Sequence, residues 1–475
     1  MRETNIENKI SKYMSIMKLK STRRFVRPAL SAATMMLLAA CSQSYPGLEY
    51  EFPDNEIGNT ETYNKTPIMM FVNEQNFFSI TATRGMGAFE NDGINQGVSQ
   101  IQKQKATLYV YSFRNGHDQQ GPLTSAADLT KTRYAQGKTH DEDNESCLLD
   151  GPDYNHGMPV KLNTEPGGML VPQWTEDSLF YSSRYQDVGY NFFCYHIDDC
   201  PTNVQRNNDR IVCTSTVDGT QDVLYGYAPK LDLAFLNENY SNLNLSDEEK
   251  AKIVNANGYS TYAAHRDIHP EIDLDHAMAR FIFQAFPGDE NANNIKIKHV
   301  KMLAPKQCQI TVAARTTEET GVKFLDEKDW MTLMSWDAEQ GKMVDMAEAT
   351  VIFEPEMKYQ PWYERAHVDL GSSLLLAPAE EYKLILEYEQ YIFTNGQWQW
   401  KPLTSEYTIT APKNEKYNLD TATGTFKFLP GFQYTVKIAV YGLSPIKVTA
   451  NISNWKEGGD IFINPDDADN IGLDN

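Results

Sequence analysis

The feature that most constrains this fold is a two-residue alternation of apolar and polar side chains, interrupted by turn residues. Tyr382, Leu384, Leu386 and Tyr388 fall at every second position of a strand that runs to Phe393; Asn395-Gly396 turns the chain; Gln397-Trp-Gln-Trp400 and Tyr407-Thr-Ile-Thr410 run back. Asn-Gly is the pair that best tolerates the positive φ angles of a tight hairpin turn. After Pro430-Gly431 the same period puts Phe432, Tyr434, Val436, Ile438 and Val440 on one face. Gln433, Thr435 and Lys437 fall on the other, which is expected to be wet. Ile446, Val448, Ala450 and Ile452 make a further strand before Trp455. Gln309 to Ala314 alternates cleanly, whereas Ile295-Lys-Ile-Lys298 slips phase by one residue at His299-Val300, as a bulge requires. One wet face per strand predicts an all-β chain with minor helices, folded as two antiparallel β-sandwich-like domains in tandem.

Further strands are expected at Pro67 to Val72, Phe77 to Thr83, Ala106 to Phe113, Val188 to Tyr195 and Asp222 to Ala228. Ser246-Asp247-Glu248-Glu249 has the capping-box pattern before a short helix ending near Asn255. Residues 115–187, rich in Gly, Pro, Asn and Asp, read as an irregular insertion with one helix capped at Ser125 by Asp128. The loop Pro287 to Asn294 marks the domain boundary, giving an N-terminal β domain over 67–288 and a C-terminal one over 289–475. No repeat of fixed period is present.

The N-terminus sets the address. Lys18, Lys20, Arg23, Arg24 and Arg27 precede the apolar run Ala29 to Ala40, which is too short to span a bilayer. Leu38-Ala39-Ala40-Cys41 then resembles the lipidation site of a bacterial lipoprotein signal peptide, with Cys41 acylated and residues 1–16 an upstream extension. The plainer alternative is a secretory signal with a chance cysteine. Residues 41–66 read as a flexible tether. Without the forty leader residues, which hold eight Lys/Arg and two Asp/Glu, 35 basic residues face 62 acidic ones, a net of −27. Such a chain does not track nucleic-acid phosphates. Of the cysteines after Cys41, Cys147, Cys194, Cys200, Cys213 and Cys308 are odd in number, and Cys194 with Cys200 or Cys213 is a plausible local bridge.

Catalytic and cofactor motifs are missing from the sequence, which supports neither an enzyme nor a bound cofactor. His265-Arg-Asp-Ile-His269-Pro-Glu271-Ile-Asp273-Leu-Asp275-His276 offers imidazoles and carboxylates for a metal, but solvated linker charges look the same, and no metal site is assigned. Asp467, Asp469 and Gly472 open like a calcium loop, but Ile471 occupies a ligand position. Trp398 and Trp400 share a hairpin face and offer stacking surfaces for a sugar, although hairpin packing accounts for them equally well.

The ordered landmarks resemble the fimbrillin family, the lipoprotein-derived subunits of type V pili. The matching pieces are Cys41 in its lipobox, a first strand ending at Thr83-Arg84-Gly85, Tyr190 to Tyr195, and Asp222 to Gly226. Ile272 to Phe283, Phe428-Leu-Pro-Gly-Phe-Gln-Tyr434, Ile446 to Ile452 and Trp455 complete the order over most of the chain. Residues 115–187 depart from the pattern. The resemblance implies an outer-membrane precursor cut after Arg84, before Gly85, by an arginine-directed protease. The cut removes the strand Ile68 to Thr83 and opens a groove for a neighbour's strand, with the segment after Ile446 as the donor. The partners implied are other pilus subunits in head-to-tail contact, and the location implied is the cell surface. Arg84 also reads as a plain surface arginine, and the acidic tail after Ile463 is a poor donor strand. The alternative function is a surface glycan-binding lipoprotein of a polysaccharide uptake system, and a weaker one is an envelope hydrolase.

Overall fold

The computed structural model describes residues 66–72, 81–82, 91–92, 107–115, 127–132, 146–151, 156–163, 169–172, 179–181, 188–197, 203–337, 340, 342–414, 418–441 and 447–453. All of them fall within the unit Tyr63–Asn475. The principal strands are, in chain order, β1 (Phe71–Val72), β2 (Thr107–Arg114), β3 (Cys147–Leu149), β4 (Met158–Asn163), β5 (Met169–Pro172), β6 (Tyr190–Ile197), β7 (Asn203–Arg206) and β8 (Arg210–Thr216). They continue as β9 (Val223–Tyr227), β10 (Glu271–His276), β11 (Ala279–Pro287), β12 (Ile295–Pro305), β13 (Gln307–Ala314), β14 (Gly321–Phe324) and β15 (Lys328–Thr332). The last are β16 (Val368–Leu376), β17 (Glu381–Thr394), β18 (Gln397–Thr410), β19 (Gln433–Val440) and β20 (Lys447–Ser453). Three short helices lie between β9 and β10: α1 (Leu233–Asn239), α2 (Asp247–Asn255) and α3 (Thr261–Ala264). The chain is all-β with minor helices.

Its N-terminal ladder runs β3-β2-β4-β5-β1-β10-β9-β6, and a further pairing of β2 with β6 closes it into a ring. Leu108, Val110, Tyr190, Phe192 and Cys194 face one apolar cluster, while Tyr111, Phe113, Phe193 and Tyr195 face another. Both faces of β2 and β6 are therefore buried, which explains the nearly unbroken apolar run Tyr190 to Ile197. The second cluster is shared with a stacked sheet of order β14-β13-β8-β7. Gly226 sits where β9, paired with β10, approaches it so closely that a Cβ would lie 1.7 Å from the Asp273 carbonyl oxygen. Residues 115–187, expected to be an irregular insertion, supply β3, β4 and β5, two of them ring members. The helix expected near Asp128 is replaced over the described residues by a turn, in which Thr130 donates its N–H (3.0 Å) and Oγ1–H (2.6 Å) to Asp128 Oδ1.

Two further sheets, β16-β11-β19-β20 and β15-β12-β17-β18, enclose the largest apolar cluster, which includes Phe281, Phe283, Leu384, Leu386, Phe428 and Tyr434. The β17–β18 hairpin turns at Asn395 (φ 52°) and Gly396 (φ 79°). The bulge expected in β12 is present as a register shift between Ile297 and His299. The capping box of α2 is also present, with Ser246 Oγ accepting from the Glu249 N–H at 3.2 Å and Glu249 Oε2 from the Ser246 N–H at 2.9 Å. Pairing crosses the expected domain boundary: β8 pairs with β13, and β11 pairs with β16 and β19.

Candidate functional site

The site is the bed of the first strand. Thr66-Pro67-Ile68-Met69-Met70-Phe71-Val72 alternates so that Ile68 (7% exposed), Met70 (0%) and Val72 (3%) enter the ring cluster. The proline lacks an N–H and makes a bridge with Phe180 at the start of the segment, where no donor is lost. Beyond it the backbone is bonded on both sides. Toward β5 and the residues after it, Ile68 donates to the Leu179 carbonyl (2.7 Å), Tyr181 to that of Thr66 (2.9 Å) and Leu170 to that of Met70 (2.8 Å). On the other side Phe71 donates to the Pro270 carbonyl (2.9 Å), and Phe71 and Val72 run parallel to Glu271 and Ile272 of β10. A segment held this way is an interior strand, although only its last two residues count as regular β structure.

Aromatic and imidazole groups line the bed. Tyr181, Phe192 and Tyr259 share the cluster that receives Ile68 and Met70, with Phe192 edge-on to Tyr259 at 5.9 Å. Thr66 Oγ1 and His265 Nε2 share a hydrogen bond of 2.9 Å. Phe71 packs at 6.1 Å from the ring of His269, whose enclosed Nδ1 has no hydrogen-bond partner among the described residues. Burial pushes His269 down to about 4 and, together with the charge of Arg266, lowers His265. Both imidazoles are thus held neutral while the strand is docked.

The polar run from His265 to His276 is therefore dispersed. His265 and His269 face the first strand, Glu271, Asp273 and Asp275 alternate away from buried Ile272 and Leu274, and buried His276 pairs with Asp222 at 2.9 Å. Among the described residues no three such side chains gather as a metal site. Sequence reasoning missed the two histidines as contacts of the first strand. The only signal was Pro270 placed before the alternation of β10, which starts a strand beside them.

Cys41, Arg84 and Gly85 lie outside the described residues, as do the leader, most of the tether and the acidic tail. The donor segment expected after Ile446 begins as β20, paired antiparallel with β19 from Lys447 to Ser453; the chain beyond Ser453 lies outside the described residues. Cys194 carries no disulfide, so the expected local bridge is not formed. It faces the ring cluster, whereas Cys213 belongs to the stacked sheet, and Cys200 lies outside the described residues.

Trp398 (59% exposed) and Trp400 (38%) sit on the outward face of the hairpin. They do not form a flat floor. Tyr391 stands between them, 5.3 Å from Trp398 at 22° and 5.1 Å from Trp400 at 41°. Phe393 closes on Trp398 at 5.6 Å, and the Lys296 ammonium lies 4.6 Å from the Trp400 ring. The rings stack on one another as a cross-strand ladder.

No family model and no curated protein matches the sequence. Among solved structures, the chain is similar to a candidate cell adhesion protein from Bacteroides ovatus, at 12% identity over 81% of this chain and 96% of that one with a TM-score of 0.33. A second candidate cell adhesion protein, from Bacteroides fragilis, is 8% identical over 83% and 99% with a TM-score of 0.34. The fimbrial anchor protein Mfa2 from Porphyromonas gingivalis is 10% identical over 72% and 88% with a TM-score of 0.27.

Proposed function

We propose that the chain is a structural or adhesive cell-surface protein, a fimbrial subunit or pilus-associated adhesin assembled by exchange of its first strand. The observation that carries the reading is the seating of residues 66–72: an interior strand of a closed ring, bonded on both sides, with Ile68, Met70 and Val72 buried. This strand is also the most separable one, because Arg84 comes twelve residues after Val72. A cut there leaves β5 and β10 with unpaired edges and empties the space of three apolar side chains. Such an edge is a liability in a monomer and a docking site for another strand. The groove belongs to the ring and β20, where the donor segment begins, to another sheet, so that in this reading contacts are head-to-tail and propagate.

In this reading Cys41 delivers the precursor to the outer membrane, and cutting at Arg84 frees the body from the lipid. A chain spared the cut stays anchored and acts as a base or a stand-alone adhesin. The test is incubation of the purified precursor with an arginine-specific protease. Release of the N-terminal piece through Arg84 together with heat-labile ladders on a gel supports the reading. A product that is cut at Arg84, loses the piece and stays strictly monomeric overturns it.

A further inference from the structure

The outer face of β19 departs from its sequence pattern in an informative way. Gln433, Thr435 and Lys437 alternate with core residues and read as a wet face, yet they are 8%, 7% and 8% exposed. Residues 362–367 cover this face: the 3-10 turn Trp362–Glu364 and the residues just after it border the same space as Gln433, Thr435 and Lys437. Arg365 clasps this cover in place. Its Nη1 donates to the carbonyls of Pro287 and Gly288, both at 2.7 Å, and its Nε and Nη2 to that of Gln360 at 3.1 and 2.9 Å. Trp362 and His367 pack on Phe286 at 5.7 and 5.0 Å.

A cover of this kind ordinarily sits on apolar side chains, whose removal from water is favourable. Here the polar ones border a cavity of about 350 Å³ between sheet and cover. The chemistry around it is specific. The Lys437 ammonium stands 5.7 Å from the Phe286 ring. Gln284, opposite Lys437 in the β11–β19 register, and Gln433 bring amides that both donate and accept; Thr435 adds a hydroxyl. Gln284 already donates to His367 Nε2 at 3.0 Å and to Asp369 Oδ1 at 3.2 Å, which fixes one wall. Phe286 and Tyr363 supply rings, and Glu364 stands at the exposed rim.

The ammonium of a buried lysine, amides and a hydroxyl, and aromatic rings match the three parts of one kind of molecule: a carboxylate, sugar hydroxyls and the apolar face of a pyranose. The volume lies at the small end for ligand sites and suits a single sugar ring rather than a chain. We propose that this cavity binds a monosaccharide bearing a carboxylate, a sialic or uronic acid unit of a surface glycan. None of its residues belongs to the first strand or its bed, so the site stands or falls separately from strand exchange.

The test is calorimetric titration of the purified full chain with N-acetylneuraminic acid, glucuronic acid, the methyl ester of glucuronic acid, and glucose. Saturable binding of one of the two acids, at least tenfold stronger than that of the ester and glucose, is the expected result, and the acid that binds identifies the source. Lys437→Met abolishes it. Glu364→Gln, an exposed change that leaves the fold alone, tightens it about twofold by removing a rim anion. Overturning results are no saturable binding of either acid, an ester that binds as well as its acid, unchanged affinity in Lys437→Met, or weaker binding in Glu364→Gln.

Discussion

Met70→Ala isolates the hold of the ring on its first strand. Met70 is 0% exposed and belongs to the ring cluster, and its carbonyl accepts the Leu170 N–H at 2.8 Å, a bond the substitution leaves intact. Truncating a fully enclosed methionine costs the transfer of its side chain from water plus the cavity left behind, about 3 kcal/mol within the usual ~2–5. That is a factor of roughly 150 in the equilibrium for strand release. The assay is amide hydrogen exchange at Phe71 and Leu170, whose N–H groups bond to Pro270 and Met70, with Phe283 of β11 as reference. Met69→Ala is the matched control: same residue type, adjacent, facing away from the cluster and half-buried, with an expected cost below about 1 kcal/mol. Met70→Ala is expected to speed exchange at Phe71 and Leu170 by about two decades and to leave Phe283 unchanged. Unchanged protection at Phe71 and Leu170, or equal loss at all three sites, would refute a separately seated first strand.

Acid is expected to loosen the same strand. His265 and His269 have lowered pKa values when docked, so the docked state binds fewer protons than the released one; docking is strongest above about 6.5 and weakens as pH falls toward about 4. Exchange at Phe71, corrected for its intrinsic rate, should be tenfold or more faster at pH 5 than at pH 7.5, and a flat or reversed dependence contradicts the contact. Gly226→Ala forces a Cβ onto the Asp273 carbonyl oxygen and is expected to cost about 3 kcal/mol, a fall in Tm of roughly 3–4 °C by circular dichroism; a fall under about 1 °C counts against the close approach of β9 and β10. Replacing Trp398 and Trp400 together with Ala should leave retention in polysaccharide-containing gels unchanged, because the rings stack on Tyr391; lost retention would favour the glycan-uptake reading instead.

Elements set by local rules were legible in the sequence. The Asn395-Gly396 hairpin, the α2 capping box and the bulge before His299 each arise from a few adjacent residues, and each is present. Features that depend on distant partners were not. Residues 115–187 look irregular because β3, β4 and β5 are only three to six residues long, too short for periodicity to register. The Pro287 to Asn294 loop marks a change of composition, but composition is blind to the pairing of β8 with β13 across it. His265 and His269 looked like solvated linker charges because their partners, Thr66 and Phe71, lie about two hundred residues earlier. The polar face of β19 read as wet because nothing local announces the cover at residues 362–367.

Strand exchange is tested most directly with a peptide of residues 66–72, Thr-Pro-Ile-Met-Met-Phe-Val, labelled and titrated against the precursor before and after cutting at Arg84. The account predicts saturable binding to the cut chain alone, protection of the Leu170 amide on binding, and suppression of the heat-labile ladder. Equal binding to cut and uncut chains, or none to either, would contradict it.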